Sequence, residues 1–136
     1  MADDEVQRVL MKEIKVGRFI VIDGVPCKVV DIETSSPGKH GSAKMRVTAI
    51  GIFDGQKKTI LKPSDGDAET PVINKPRAQV VSVQGSTVQL MDETTYEIFE
   101  LPIPEELMGK VREGTVVELL EAMGRRIVSR IASQNE

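Results

Sequence analysis

Histidine and cysteine are almost missing from this chain: one of each, His40 and Cys27, in 136 residues. That excludes a disulfide framework, and it excludes a metal site of the thiol and imidazole kind. Cys27 follows Pro26 and is expected to be a small buried hydrophobe. Tryptophan is absent, tyrosine occurs once and phenylalanine three times. The core must therefore come mostly from Val, Ile, Leu and Met. No stretch approaches the ~20 apolar residues that span a bilayer as a helix. The opening Met1-Ala2-Asp3-Asp4-Glu5 has the wrong charge for a secretion signal. A soluble, cytoplasmic protein with no membrane partner is expected.

Net positive charge is missing too: 18 Lys+Arg stand against 21 Asp+Glu, a balance of −3. The charges are unevenly placed. From Lys15 to Lys62 there are nine basic and four acidic residues, +5, so the remainder carries −8. A basic block in an acidic chain fits contact with nucleic-acid phosphates, and it equally fits a solvated surface with uneven charge.

What is present is strand after strand. "VQRVLMKEI" fits either a short helical turn or an extended lead-in. "RFIVID", a turn at Gly24-Val25-Pro26 and "CKVVDIE" follow, the last with incomplete period-two alternation. In "AKMRVTAIGIF" the alternation is clear: Lys44, Arg46 and Thr48 share one face, and Met45, Val47 and Ala49 the other. Asp54-Gly55 predicts a hairpin turn into "QKKTIL". "KPSDGDAETPVINKPRA" breaks the pattern and is expected to be a linker or irregular crossing. Five further strand-like runs come after it: "AQVVSVQG", "TVQLMD", "YEIFELP", "TVVELLEA" and "RRIVSRIA". "PEELMGKVREG" is expected to be a short helix, with Glu105 and Glu106 at its start, Lys110 and Arg112 near its end and Gly114 closing it. The expectation is an all-β chain of two small barrels, residues 1–71 and 72–136. Five strands and one short helix make the second fit an oligonucleotide/oligosaccharide-binding (OB) barrel.

Between the strands ending near Glu33 and starting near Lys44 lies "SSPGKHGSAK". It places Lys39 on a strand connection built of small residues. The Gly-Lys pair is not a phosphate-binding P-loop. That motif needs Ser or Thr directly after the lysine and a glycine five residues before the second one; His40 and Glu33 occupy those places. A catalytic role for His40 is disfavoured, since the sequence marks no partner base and no rigid surround for it. An exposed lysine, pKa about 10.4, is a cation suited to phosphate contact or to modification by another enzyme. Gly38 and Gly41 carry no Cβ, so another backbone can approach closely; Pro37 stiffens the approach. An incidental lysine on a loose hairpin tip is the plain alternative.

This stretch resembles the modification loop of the translation initiation factor 5A family in its archaeal form. The family's Gly-Lys-His-Gly core is Gly38, Lys39, His40 and Gly41, followed by Ser42, Ala43 and Lys44. Ser36-Pro37 and Ser42 point to the archaeal branch, and the late "EAMGRR" also fits. The related bacterial elongation factor P usually lacks the histidine after its modified lysine. The resemblance implies an N-terminal SH3-like barrel and a C-terminal OB fold. It implies that Lys39 is converted to deoxyhypusine or hypusine by deoxyhypusine synthase using spermidine, with no separate cofactor. It implies binding to the ribosome and its rRNA beside the peptidyl-tRNA, and relief of stalling, notably at consecutive prolines. It gives His40 no firm chemical role. Lys44 and Arg46 are the first candidates for RNA contact, followed by Lys28, Lys57, Lys58 and Lys62. The competing functions are a general RNA-binding module without modification and a small hydrolase or nuclease using His40. The first has only Tyr96 and Phe99 for base stacking in its second barrel.

Overall fold

The computed structural model describes residues 5–35 and 43–133. The chain divides into two compact units, one ending at Val72 and the other starting at Ile73. Nearly every element is a strand, and no helix among the described residues is long and apolar enough to cross a membrane.

The first unit is a small SH3-like barrel. It contains β1 (Val6–Leu10), β2 (Phe19–Ile22), β3 (Val25–Thr34), β4 (Lys44–Gly51), β5 (Lys57–Pro63) and β6 (Asp67–Pro71). Strands β2-β3-β4-β5 form one antiparallel sheet, and β1 pairs with β6. "VQRVLMKEI" is extended first and then turns: β1 runs into a 3-10 turn at Met11–Glu13, capped where Glu13 Oε2 accepts the Leu10 N–H at 2.7 Å. The core is aliphatic, with Met11, Ile20, Ile22, Val29, Met45 and Val47 buried. Cys27 is fully buried among them, and burial pushes its thiol pKa up. It is an inert packing residue.

Three details differ from expectation. The turn after β2 is Asp23-Gly24, not Gly24-Val25-Pro26. Both turn residues have positive φ, 53° and 76°, as a type I′ hairpin requires, and Pro26 already pairs with Val21. The imperfect alternation in β3 comes from a bulge at Val30: Val29 pairs with Ala49, and the next register pair is Asp31 with Thr48. The expected linker contains β6. Its small Ala68 is buried while Asp67 and Glu69 face solvent, an apolar signal too weak to register in sequence.

The second unit is an OB fold. It contains β7 (Arg77–Gln84), β8 (Thr87–Asp92), β9 (Ile98–Pro102), β10 (Val116–Ala122) and β11 (Arg125–Ser133), ordered β11-β10-β7-β8-β9. Its core holds Val80, Val88, Leu90, Val117, Leu119 and Val128. The expected helix shrinks to a single 3-10 turn at Glu105–Leu107. Met108 is already extended (ψ 132°), and Gly109 follows in the left-handed region at φ 79°. The remaining bonds, Met108 N–H to Glu105 O and Lys110 N–H to Leu107 O, span three residues and not four. The downstream segment is held by β7 instead: Gly114 N–H donates to Val80 O, and Val80 N–H to Thr115 O.

The outer strands of this second sheet, β9 and β11, meet through Arg126. Its guanidinium lies 3.7 Å from the centroid of the Phe99 ring. It also stands 3.4 Å from Glu97 Oε1 and 3.7 Å from Glu121 Oε2.

Candidate functional site

The site is built around the β3–β4 hairpin. Its strands stay in register up to Thr34 paired with Met45. Beyond that pair the Ser35 N–H donates to Lys44 O at 2.9 Å. On the other side of β4, the Ser64 N–H donates to Ala43 O at 2.7 Å, anchoring the return of the chain to the β5–β6 turn. The segment between is thus gripped at both ends by main-chain bonds. Ser36, Pro37, Gly38, Lys39, His40, Gly41 and Ser42 lie outside the described residues; Ala43 is half-buried at the foot of β4.

The six basic candidates divide between two faces, and strand register decides which. In β4, Lys44 and Arg46 point outward, while Met45, Val47 and Ala49 are buried, as the alternation predicts. Ile50 pairs with Lys28 on one side and Lys57 on the other, so these two lysines join the same outward face. Lys58 pairs with Ala49 and Lys62 with Met45, which puts both on the opposite face at the rim of the core. Both are engaged there. Lys58 Nζ stands 3.6 Å from Asp54 Oδ2, and Lys62 Nζ donates to Asp67 O at 2.8 Å. The Asp54 carboxyl is held below the usual carboxylate range, first by the Gln56 N–H on its Oδ1 and then by Lys58. By contrast, Lys28, Lys44, Arg46 and Lys57 make no side-chain hydrogen bond or ion pair among the described residues.

A shallow depression of about 410 Å³ lies at the hairpin base, lined by Glu33, Thr34, Ser35, Lys44, Arg46 and Leu61. Glu33 and Leu61 flank Arg46 in the register. Nothing in the sequence marked them: Leu61 is an apolar residue left 54% exposed, against the hydrophobic pattern of its strand. The depression offers two cations, one carboxylate and an aliphatic floor. That chemistry suits a phosphate backbone held without reading of its bases.

Comparisons with known proteins decide the family. The family model "Translation initiation factor 5A-like, N-terminal" matches residues 7–66. "Eukaryotic elongation factor 5A hypusine, DNA-binding OB fold" matches residues 72–131. Over 120 residues the chain is 52% identical to translation initiation factor 5A of Methanothermobacter thermautotrophicus, covering 88% of this chain and 92% of that protein. The chain belongs to the translation initiation factor 5A family. The factor of Methanopyrus kandleri is likewise 52% identical, over 126 residues, covering 91% of this chain and 93% of that one. A solved structure described as eukaryotic translation initiation factor 5A from Methanococcus jannaschii superposes with a TM-score of 0.89 at 44% identity. It covers 96% of this chain, and 97% of that chain is matched. In this family frame the two matched stretches fall on the two units, and the hairpin just described belongs to the first.

Proposed function

We propose that this protein is a cytoplasmic translation factor that binds the ribosome beside the peptidyl-tRNA and promotes peptide bond formation through a modified Lys39. The modification is an aminobutyl group taken from spermidine by deoxyhypusine synthase. It relieves stalling, notably at consecutive prolines. The observation that carries this reading is the position of "PGKHGSAK" between two strands that stay paired through Thr34 and Met45. These strands lead the chain to and from the stretch that holds Lys39, with main-chain bonds at Ser35 and Ala43 on its two sides. The extension lengthens the side chain and adds a second amine, making a thin polycation able to pass between phosphates. The protein forms and breaks no bonds at the ribosome. It holds the acceptor end of the tRNA in a productive orientation, where ordering the reactants lowers the barrier. Lys44 and Arg46 contact the RNA backbone beside it.

The competing reading, an unmodified RNA-binding module gripping bases on the second barrel, is weakened by the Arg126 guanidinium over Phe99. That contact occupies one of the two aromatics it would need.

Lys39→Arg tests the proposal. It keeps the positive charge and removes the acceptor amine for the aminobutyl group. Ribosomes translating a run of prolines should stay stalled with this variant and be released by modified wild-type protein. Equal release by both would overturn the mechanism.

A further inference from the structure

The basic face has a second end, remote from the hairpin. Phe19 pairs with Lys28, Lys28 with Ile50, and Ile50 with Lys57. These four side chains therefore form one row across β2, β3, β4 and β5. Phe19 is partly exposed and lines an open cleft of about 330 Å³ that also takes in Lys15 and Arg18. Among the described residues neither cation has a side-chain partner. Glu13 lines the cleft too, but its Oε2 is already used by the Leu10 N–H. Arg46 lies four residues along β4 from Ile50, about 13 Å, and Lys44 six residues, about 20 Å. The intervening row is Asp31, Thr48 and Thr59, which carries no cation. The basic face is thus two footprints and not one.

We infer that Lys15, Arg18, Lys28 and Lys57 form a separate single-stranded RNA site, with a base stacked on Phe19 and the cations on the flanking phosphates. Bases stack on exposed aromatics whatever their sequence, and a cationic surround tracks the backbone. Phe19 combines partial exposure with cations that have no side-chain partner among the described residues, whereas Phe99 is covered by the Arg126 guanidinium. Two footprints about 13–20 Å apart would let the protein hold one RNA element at the hairpin and another here. The inference extends the proposed function in taking RNA as the partner, but it does not depend on Lys39 being modified.

The test uses the full unmodified chain and a labelled single-stranded oligouridylate, titrated over a range of salt. The triple variant Arg18→Gln, Lys28→Gln, Lys57→Gln should flatten the dependence of log affinity on log salt by about 2, near 0.7 per lost phosphate contact. Phe19→Leu should weaken binding roughly 5- to 100-fold at fixed salt with the slope unchanged, and Phe19→Tyr should restore it. Thermal unfolding of each variant separates lost binding from lost fold. Because the chain is unmodified throughout, the result does not depend on whether Lys39 is a substrate, so a failed modification reading and a failed second site are told apart. An unchanged salt slope in the triple variant overturns the site. So does Phe19→Tyr failing to restore what Phe19→Leu loses while both variants are folded. Equal affinity for duplex RNA of the same length, with Phe19→Leu silent, overturns the stacking.

Discussion

Replacing Arg126 with alanine should loosen the second barrel without touching its core. Three contacts are lost together. The guanidinium over Phe99 is a partly desolvated cation–π pair, worth about 0.5–2 kcal/mol. The approaches to Glu97 and Glu121, at 3.4 and 3.7 Å, are long and partly exposed, since the Glu97 side chain is 58% accessible. Each is worth at most about 0.2–1 kcal/mol. The arginine stem also covers the ring, which alanine would leave open to water. Because the contacts share one side chain they do not simply add, and the expected loss is about 2 kcal/mol. Arg126→Met should recover the covering but not the charge, and fall between. The assay is built into the sequence. Tyr96 is the single tyrosine and tryptophan is absent, so tyrosine fluorescence in a urea titration follows the second unit. The midpoint should drop for Arg126→Ala, and raised salt should narrow the gap between wild type and variant. A midpoint within error of wild type would refute the idea that this residue joins β9 to β11.

Other consequences follow from single contacts. A Cβ at Gly51 would fall on the Asp54 carboxylate, which must swing away and release the Gln56 N–H, so Gly51→Ala should cost about 0.5–1.5 kcal/mol in the first unit. The rate at which the buried Cys27 thiol reacts in urea would measure it; an unchanged rate counts against the packing argument. Asp92 Oδ1 accepts the N–H groups of Thr94 and Thr95 at 2.7 and 2.9 Å, which lowers its pKa. Its stabilisation is therefore full above the unfolded value of about 3.9 and is lost as pH falls through the lower folded value. Asp92→Asn keeps the acceptor oxygen and removes the titration, so its acid unfolding followed at Tyr96 should lose that part of the pH dependence. An identical acid limb in wild type and variant would show that Asp92 does not contribute to it.

Much of the architecture is legible in the sequence where one face of a strand is buried. The run from Lys44 to Ala49 alternates in burial as its residues alternate in polarity. Legibility fails where the chain departs from period two or where an apolar residue faces out. In β5, Leu61 is exposed while Lys62 points to the rim of the core, so only pairing with β4 separates Lys57 from Lys58. The short β6 was hidden because Asp, Glu, Thr and Pro surround one buried alanine. The helix was overread because favourable charges at both ends of "PEELMGKVREG" mask what Gly109 does in the middle. Lys39 is legible from its neighbours in sequence, whereas the pairing of β3 with β4 up to Thr34 and Met45 is partly hidden by the bulge at Val30.

The central claim, that Lys39 is first a substrate and then a probe, is tested most directly by peptide mass mapping of protein isolated from its own cells. The account predicts a gain of one aminobutyl group, with or without one oxygen, on the peptide containing Lys39. Native protein carrying an unmodified Lys39 would contradict it.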